Sequence, residues 1–211
     1  MAGWLGAPAV WPSWGVQSLE ADFESLMEAG LQASRRDDVD AALQSWRSAA
    51  GANPRSALPH FLIGAEFAQA RRLAEAEAAF ANAVVLAPEF EAARYQLGLL
   101  QFTSGRAAVA LVTWEPLFGL PETHPLRSFV LGFSALARDE FDTALRHFHA
   151  GIDANAINPP MNEDVERVIA AITVLRAGRF GDGGLASDSS VKTVAEDAHV
   201  LLAAYRQNSI H

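Results

Sequence analysis

Apolar positions along this chain recur at three- and four-residue steps, the spacing of amphipathic helices, and the whole pattern returns as a block. From Ala57 to Phe90, the residues Phe61, Leu62, Ile63, Gly64 and Phe67 mark one apolar run. Arg71 and Arg72 interrupt it, and Ala76, Ala79, Phe80, Ala83 and Val84 mark a second run before Pro88. The block predicts helix, short turn, helix, stop, because proline lacks the N–H that would continue the second helix. Gly30, Gly64, Gly98 and Gly132 each stand 34 residues after the last, as do Ala42, Ala76, Ala110 and Ala144, and Trp46, Phe80, Trp114 and Phe148. One period held by three residue classes predicts a helical hairpin stacked on copies of itself, an all-α solenoid. The small residues are expected where the two helices of a hairpin cross, with Phe80 filling the space against the next pair.

The order of apolar residue, Gly, aromatic, then Ala, Phe, Ala and Pro resembles the tetratricopeptide repeat (TPR). In the second cycle the match is Ile63, Gly64, Phe67, Ala76, Phe80, Ala83 and Pro88. The first cycle keeps Gly30, Ala42, Trp46, Ala49 and Pro54, with Ala33 in place of a large aromatic. The third keeps Leu97, Gly98, Ala110 and Trp114, with Gln101 for the aromatic and Leu117 for a small residue. The fourth keeps Leu131, Gly132, Ala144 and Phe148, then departs at Gly151. Four units result, at 23–56, 57–90, 91–124 and 125–158, together 136 of the 211 residues. The resemblance implies a right-handed superhelix of helix pairs whose concave face recognises protein. Pro116 falls inside the second helix of the third unit, which is expected to end early or kink there.

The flanks read differently. Trp4, Trp11 and Trp14 lie in a Pro- and Gly-interrupted arm, residues 1–22, whose first part is not expected to form a regular helix. It would lie across the first helices, dock in the groove or on a neighbouring subunit, or stay disordered. Asn162 is placed to cap a covering helix within 159–178, with Val165, Ile169 and Ile172 on one face. Residues 179–190 read as a flexible linker rich in Gly, Ser and Asp. Val191, Val194, Ala198, Leu201 and Tyr205 then form the seam of a C-terminal amphipathic helix within 191–211. That helix has three destinations open to it: the array, another copy of the chain, or a partner.

Composition narrows the field. The net charge is −9, and Lys192 is the one lysine in the chain. An acidic protein is poorly suited to nucleic acid or to an anionic membrane surface. The Arg bias and heavy Ala usage fit a bacterial coding bias. There is no cysteine, so disulfides, thiolate catalysis and cysteine-zinc sites are excluded. No apolar run is long enough to span a membrane. The N-terminal stretch carries no basic residue ahead of its apolar part, and a cytoplasmic location is expected.

Carrying the family's concave positions onto this chain gives Met27, Phe61, Tyr95 and Phe129 at one level. Leu31, Ala65, Leu99 and Phe133 follow one turn on, with Phe102 and Leu136 nearby. Such a row is either packing between adjacent first helices or the apolar floor of a groove. The floor is preferred, since the helix crossings are already accounted for and a large exposed apolar strip marks a binding site. The expected partner-binding residues are thus Met27, Leu31, Phe61, Tyr95, Leu99, Phe102, Phe129 and Phe133.

Some TPR domains hold a C-terminal carboxylate through Lys, Arg and Asn. The matching positions here are Met27, Leu31, Leu62, Ala92 and Gln96, or one repeat on Phe61, Ala65, Gln96, Leu126 and Val130. Neither set contains a cation, so no carboxylate clamp is expected. The expected partner is an apolar or amphipathic protein segment.

Catalytic and metal chemistry finds little support. His147 and His149 point in different directions from a helix and flank the core position Phe148. Asp37, Asp38 and Asp40, like Asp139, Glu140 and Asp142, stand where second helices begin and satisfy helix N-termini. Ser189 to Lys192 spells S-x-x-K without a supporting motif, and Gly181, Gly183 and Gly184 lack the rest of a phosphate loop. The chain reads as a non-enzymatic adaptor with no cofactor or metal. A chaperone for an apolar client and a self-assembling module, joined through the N-terminal arm or the C-terminal helix, are the alternatives.

Overall fold

The computed structural model describes residues 13–156, residue 162 and residues 165–173, with side chains from residue 22 onward. Within them the chain is helical throughout, without a strand. It divides into two compact units that meet in sequence at Arg55 and Ser56.

The first unit is a hairpin of α1 (Ser13–Arg35) and α2 (Val39–Ala52). Asp38 caps α2, its Oδ1 accepting from the Ala41 N–H at 3.1 Å. Ala42, Leu43, Trp46 and Ala49 form the buried face of α2. Helix α1 begins ten residues before the expected start of the repeat (23−13 = 10) and takes in Trp14 and Gly15, which were expected to lie in an irregular arm. Two features of the chain explain the difference. Pro12 immediately precedes the first turn, where proline is tolerated, and the spacing Val16, Leu19, Phe23, Met27 continues the helical period upstream. Trp4 and Trp11 lie outside the described residues, as do the stretches expected to form the linker and the C-terminal amphipathic helix.

The second unit holds three hairpins. They are α3 (Leu58–Gln69) with α4 (Leu73–Leu86), α5 (Glu91–Thr103) with α6 (Ala107–Thr113), and α7 (Pro125–Leu136) with α8 (Phe141–Ala154). Helix α5 packs on α4 and α7 as well as on α6, which makes the three hairpins one continuous body. Helix α6 has 7 residues where α4 and α8 have 14. Pro116 ends it early, as expected, and the chain continues as a 3-10 helix over Glu115–Gly119. Beyond α8, helical residues 165–173 bury Val165, Val168 and Ile172 in the same core as Phe129, Phe133 and Phe148, with Ile169 packed beside them. Asn162, expected to cap this segment, is itself helical; its Oδ1 accepts from Asn155 Nδ2 at 2.8 Å.

The period is built on one contact. A Cβ placed on Gly64 would stand 2.8 Å from the ring of Phe80, and one on Gly132 would stand 2.6 Å from Phe148. Gly30 and Gly98 lie closer still to the indoles of Trp46 and Trp114. Each aromatic therefore occupies the volume vacated by the glycine of its own hairpin, and Trp114 also packs against the next pair, its ring 5.5 Å from that of Phe133. Gly151 serves the converse contact, since a Cβ there would meet the Phe129 ring at 2.5 Å. At Gln101, where the repeat expects an aromatic, the buried amide oxygen accepts from Thr113 Oγ1 at 2.6 Å. The Arg106 guanidinium grips Glu77 of the preceding hairpin through two hydrogen bonds, at 2.6 and 3.0 Å, and holds that carboxyl below its ordinary range.

The turns repeat as closely as the helices. Asp37, Arg71, Gly105 and Asp139 have φ of 58°, 61°, 77° and 58°. The N–H of the residue after each reaches back to Ala33, Phe67, Gln101 or Ala135 at 3.0, 2.8, 2.9 and 3.0 Å. This is the left-handed ending of an α-helix, and glycine alone adopts it without steric cost. Arg71→Gly is expected to stabilise the fold by about 0.5–1 kcal/mol, and Gly105→Ala to cost about 1 kcal/mol or more. Urea unfolding checks both, and two neutral substitutions would contradict the turn assignment. The tryptophans also differ. The Trp114 indole N–H donates to the Tyr95 carbonyl at 3.0 Å, whereas Trp46 Nε1 is buried without a partner. Both Trp→Phe changes remove the same ring volume. Trp114→Phe should cost about 0.5–1 kcal/mol more than Trp46→Phe, because it alone breaks a hydrogen bond, the Tyr95 carbonyl keeping its place in the α5 ladder. Equal losses in denaturant would count against that difference.

Candidate functional site

The structure places most of the expected groove residues in the core. In the first unit Met27 and Leu31 are buried on α1. In the second, Phe61, Tyr95, Leu99, Phe129 and Phe133 are buried, and Phe102 is half-buried. Their rings pack on one another and on the second-helix aromatics. Phe61 lies 4.9 Å from Phe90 and 5.6 Å from Phe80, and Phe133 lies 5.0 Å from Phe148 and 5.2 Å from Phe102, centroid to centroid. The reason is the glycine contact. Once each glycine admits a ring between the helices, the residues one turn away on the first helix become the walls around that ring. These side chains give rigidity rather than an exposed apolar strip.

One hollow of the second unit, of about 620 Å³, lies at the starts of α5 and α7 and the end of α8. Glu89, Phe90, Glu91, Ala92, Tyr95 and Gln96 form one side. Pro121, Thr123, His124, Pro125 and Leu126 form the second, and Ala154 and Asn155 the third. Tyr95 is the one expected groove residue that borders it. Pro116 contributes indirectly: by shortening α6 it leaves the connection 120–124 long enough to make a wall.

The electrostatics of the hollow are one-sided. His124 Nδ1 accepts from the Leu126 N–H at 3.3 Å, and its Nε2 lies 3.1 Å from Glu91 Oε2. An imidazole accepting at Nδ1 carries its proton on Nε2 and donates it to the carboxylate. Among the described residues, no Lys or Arg lines the hollow. Gln96 is only 1% exposed, and neither its Oε1 nor its Nε2 has a partner. A buried primary amide without hydrogen bonds is costly. Sequence comparison with a carboxylate clamp reached Gln96 as a non-cationic position, but it gave no sign that the amide would be buried beside a cavity.

The residues considered for catalysis are placed as follows. Glu140 pairs with Arg138 at 2.8 Å, and Asp139 holds the left-handed turn. Asp40 and Asp142 lie in the first turns of α2 and α8. His147 is partly buried, which pushes its pKa down, with Arg146 and Arg127 adding to the effect; His149 is exposed. Among the described residues no group of three His, Cys, Asp or Glu side chains is arranged to hold a metal ion. Also among the described residues, no helix is long and apolar enough to cross a membrane. Ser189, Lys192, Gly181, Gly183 and Gly184 lie outside the described residues.

No protein-family model matches the chain, and no curated protein sequence matches it. Solved structures do. MamA from Desulfovibrio magneticus RS-1 (residue 41 to the end) superposes with a TM-score of 0.57 at 15% identity, covering 90% of this chain and 98% of that one. PilF of Pseudomonas aeruginosa gives a TM-score of 0.59 at 17% identity, covering 87% and 90%. YrrB, described as a TPR protein with an unusual peptide-binding site, gives 0.54 at 16%, covering 90% and 94%. With identity this low the likeness bears on the backbone, and the fold it shows is that of a tetratricopeptide-repeat array.

Proposed function

We propose that this chain is a protein-interaction adaptor, without catalytic activity, that holds a segment of another protein. The observation that carries the reading is the set of glycine-locked hairpins of the second unit, with a concave hollow of about 620 Å³ between consecutive hairpins. That size falls among ligand-binding clefts, roughly 300–1,000 Å³. The peptide-binding site named for YrrB, which shares the fold, agrees with it.

The apolar or amphipathic segment expected from sequence fits this hollow only in part, because the aromatic floor is core. For the same reason the chaperone reading loses the surface it relied on. Among the described residues the exposed large hydrophobics are Leu58, Val85, Leu86, Val109 and Val112, none of them aromatic. The self-assembling module depends on segments outside the described residues. A location in the cytoplasm accords with these readings and is proposed with them.

The test is capture from native lysate with quantitative mass spectrometry, followed by titration of the purified captured protein. Ala154→Arg is the comparison: Ala154 is exposed, lines the hollow, and ends a helix, where an added cation favours the helix. A folded partner should bind saturably and at least about ten-fold more weakly to Ala154→Arg. No saturable partner would contradict the adaptor reading. Equal binding by the variant would move the contact away from the hollow.

A further inference from the structure

The adaptor reading leaves the chemistry of the bound segment open, and this inference rests on that reading. Three features of the hollow bear on it. The buried Gln96 amide offers one donor and one acceptor side by side, both unpartnered. Phe90, Pro121 and Leu126 supply apolar walls. At the rim Glu89 is exposed and has no partner among the described residues, while Glu91 receives a neutral imidazole proton from His124.

A side-by-side donor and acceptor is complementary to the N–H and C=O of a peptide main chain, or to another primary amide. The carboxylates, with no cation among the described residues that line the hollow and −9 net charge on the chain, favour a positively charged ligand. Lys and Arg side chains lay aliphatic stems along apolar walls while their heads reach acceptors. We propose that the hollow binds an extended segment of a partner protein that carries an arginine or lysine. Both amide atoms of Gln96 are closed to solvent in the structure, so its side chain turns toward the hollow to pair with main-chain N–H and C=O groups of the segment, whose cation is held by Glu89 and Glu91.

The experiment is an NMR titration of the full-length protein, following the Gln96 side-chain amide signals. The probes are acetyl-Ala-Arg-Ala-amide, acetyl-Ala-Ala-Ala-amide and acetyl-Ala-Glu-Ala-amide. The arginine peptide should give saturable shifts, the alanine peptide should bind about ten-fold more weakly, and the glutamate peptide should not saturate. Gln96→Met, followed through the Phe90 and Ala92 amides, should bind the arginine peptide about ten-fold more weakly while melting no lower than wild type, since methionine strands no polar atom. Glu89→Gln combined with Glu91→Gln should bring the arginine peptide to the alanine level.

No saturation by the arginine peptide, equal response to the glutamate peptide, or unchanged binding in Gln96→Met would each overturn the proposal. Lys192→Glu with Arg206→Glu provides one more arm. If these changes move the Gln96 signals with no peptide present, the cation comes from this chain's own C-terminal segment, and the partner proposal fails. Peptide titration and lysate capture fail independently, so loss of the basic-peptide inference would leave the adaptor reading standing.

Discussion

The second unit depends on glycines that leave room for aromatic rings. A helical hairpin with a Cβ at Gly64, Gly98 or Gly132 would have to displace the ring of Phe80, Trp114 or Phe148, or separate its helices. Interiors packed to crystal density have little capacity to absorb such a shift. With glycine in place, the ring enters the interface and becomes fully buried, and residues such as Phe61, Phe129 and Phe133 close around it. Gly30 and Trp46 repeat the arrangement within the first unit. Burial of a large aromatic side chain is the main favourable term at each hairpin, and one missing methyl group makes it available.

Much of this was legible in the chain. Period, helix count per cycle and the break at Pro116 all follow from residue spacing, because each rests on local stereochemistry. The direction of the rings did not follow, since a 34-residue period says that Gly64 and Phe80 belong to one unit without saying which surfaces meet. That ambiguity misdirected the functional reading. Phe61, Tyr95, Phe129 and Phe133 share a face by periodicity, and periodicity alone does not tell an exposed face from one that is enclosed. The left-handed turn residues were hidden for a different reason. Gly105, Asp37 and Asp139 are residue types that tolerate this conformation, but Asp also caps helices and Arg71 gives no sign, so residue type alone does not single out the turn.

The departures from the repeat are what shape the hollow. Pro116 shortens α6 and lengthens the connection into α7, and that connection supplies Pro121, Thr123 and His124 to the hollow. Gln96 occupies a position where Leu62 and Val130 stand in the neighbouring repeats, and its amide is the polar group that the fold leaves unpaired. Regular repeats thus build the frame, and an irregular third repeat contributes to a largely apolar, acid-rimmed recess in it. Such a local conflict with packing rules is expected at a binding site.

The most direct test of the account is a double-mutant cycle on Gly64 and Phe80. If the ring occupies the glycine's missing volume, Gly64→Ala should cost about 2 kcal/mol or more in the native background and much less beside Phe80→Leu. That gives a coupling of about 1–2 kcal/mol in urea unfolding. Costs that simply add would mean that the ring does not enter that space, and the physical basis assigned to the repeat would be wrong.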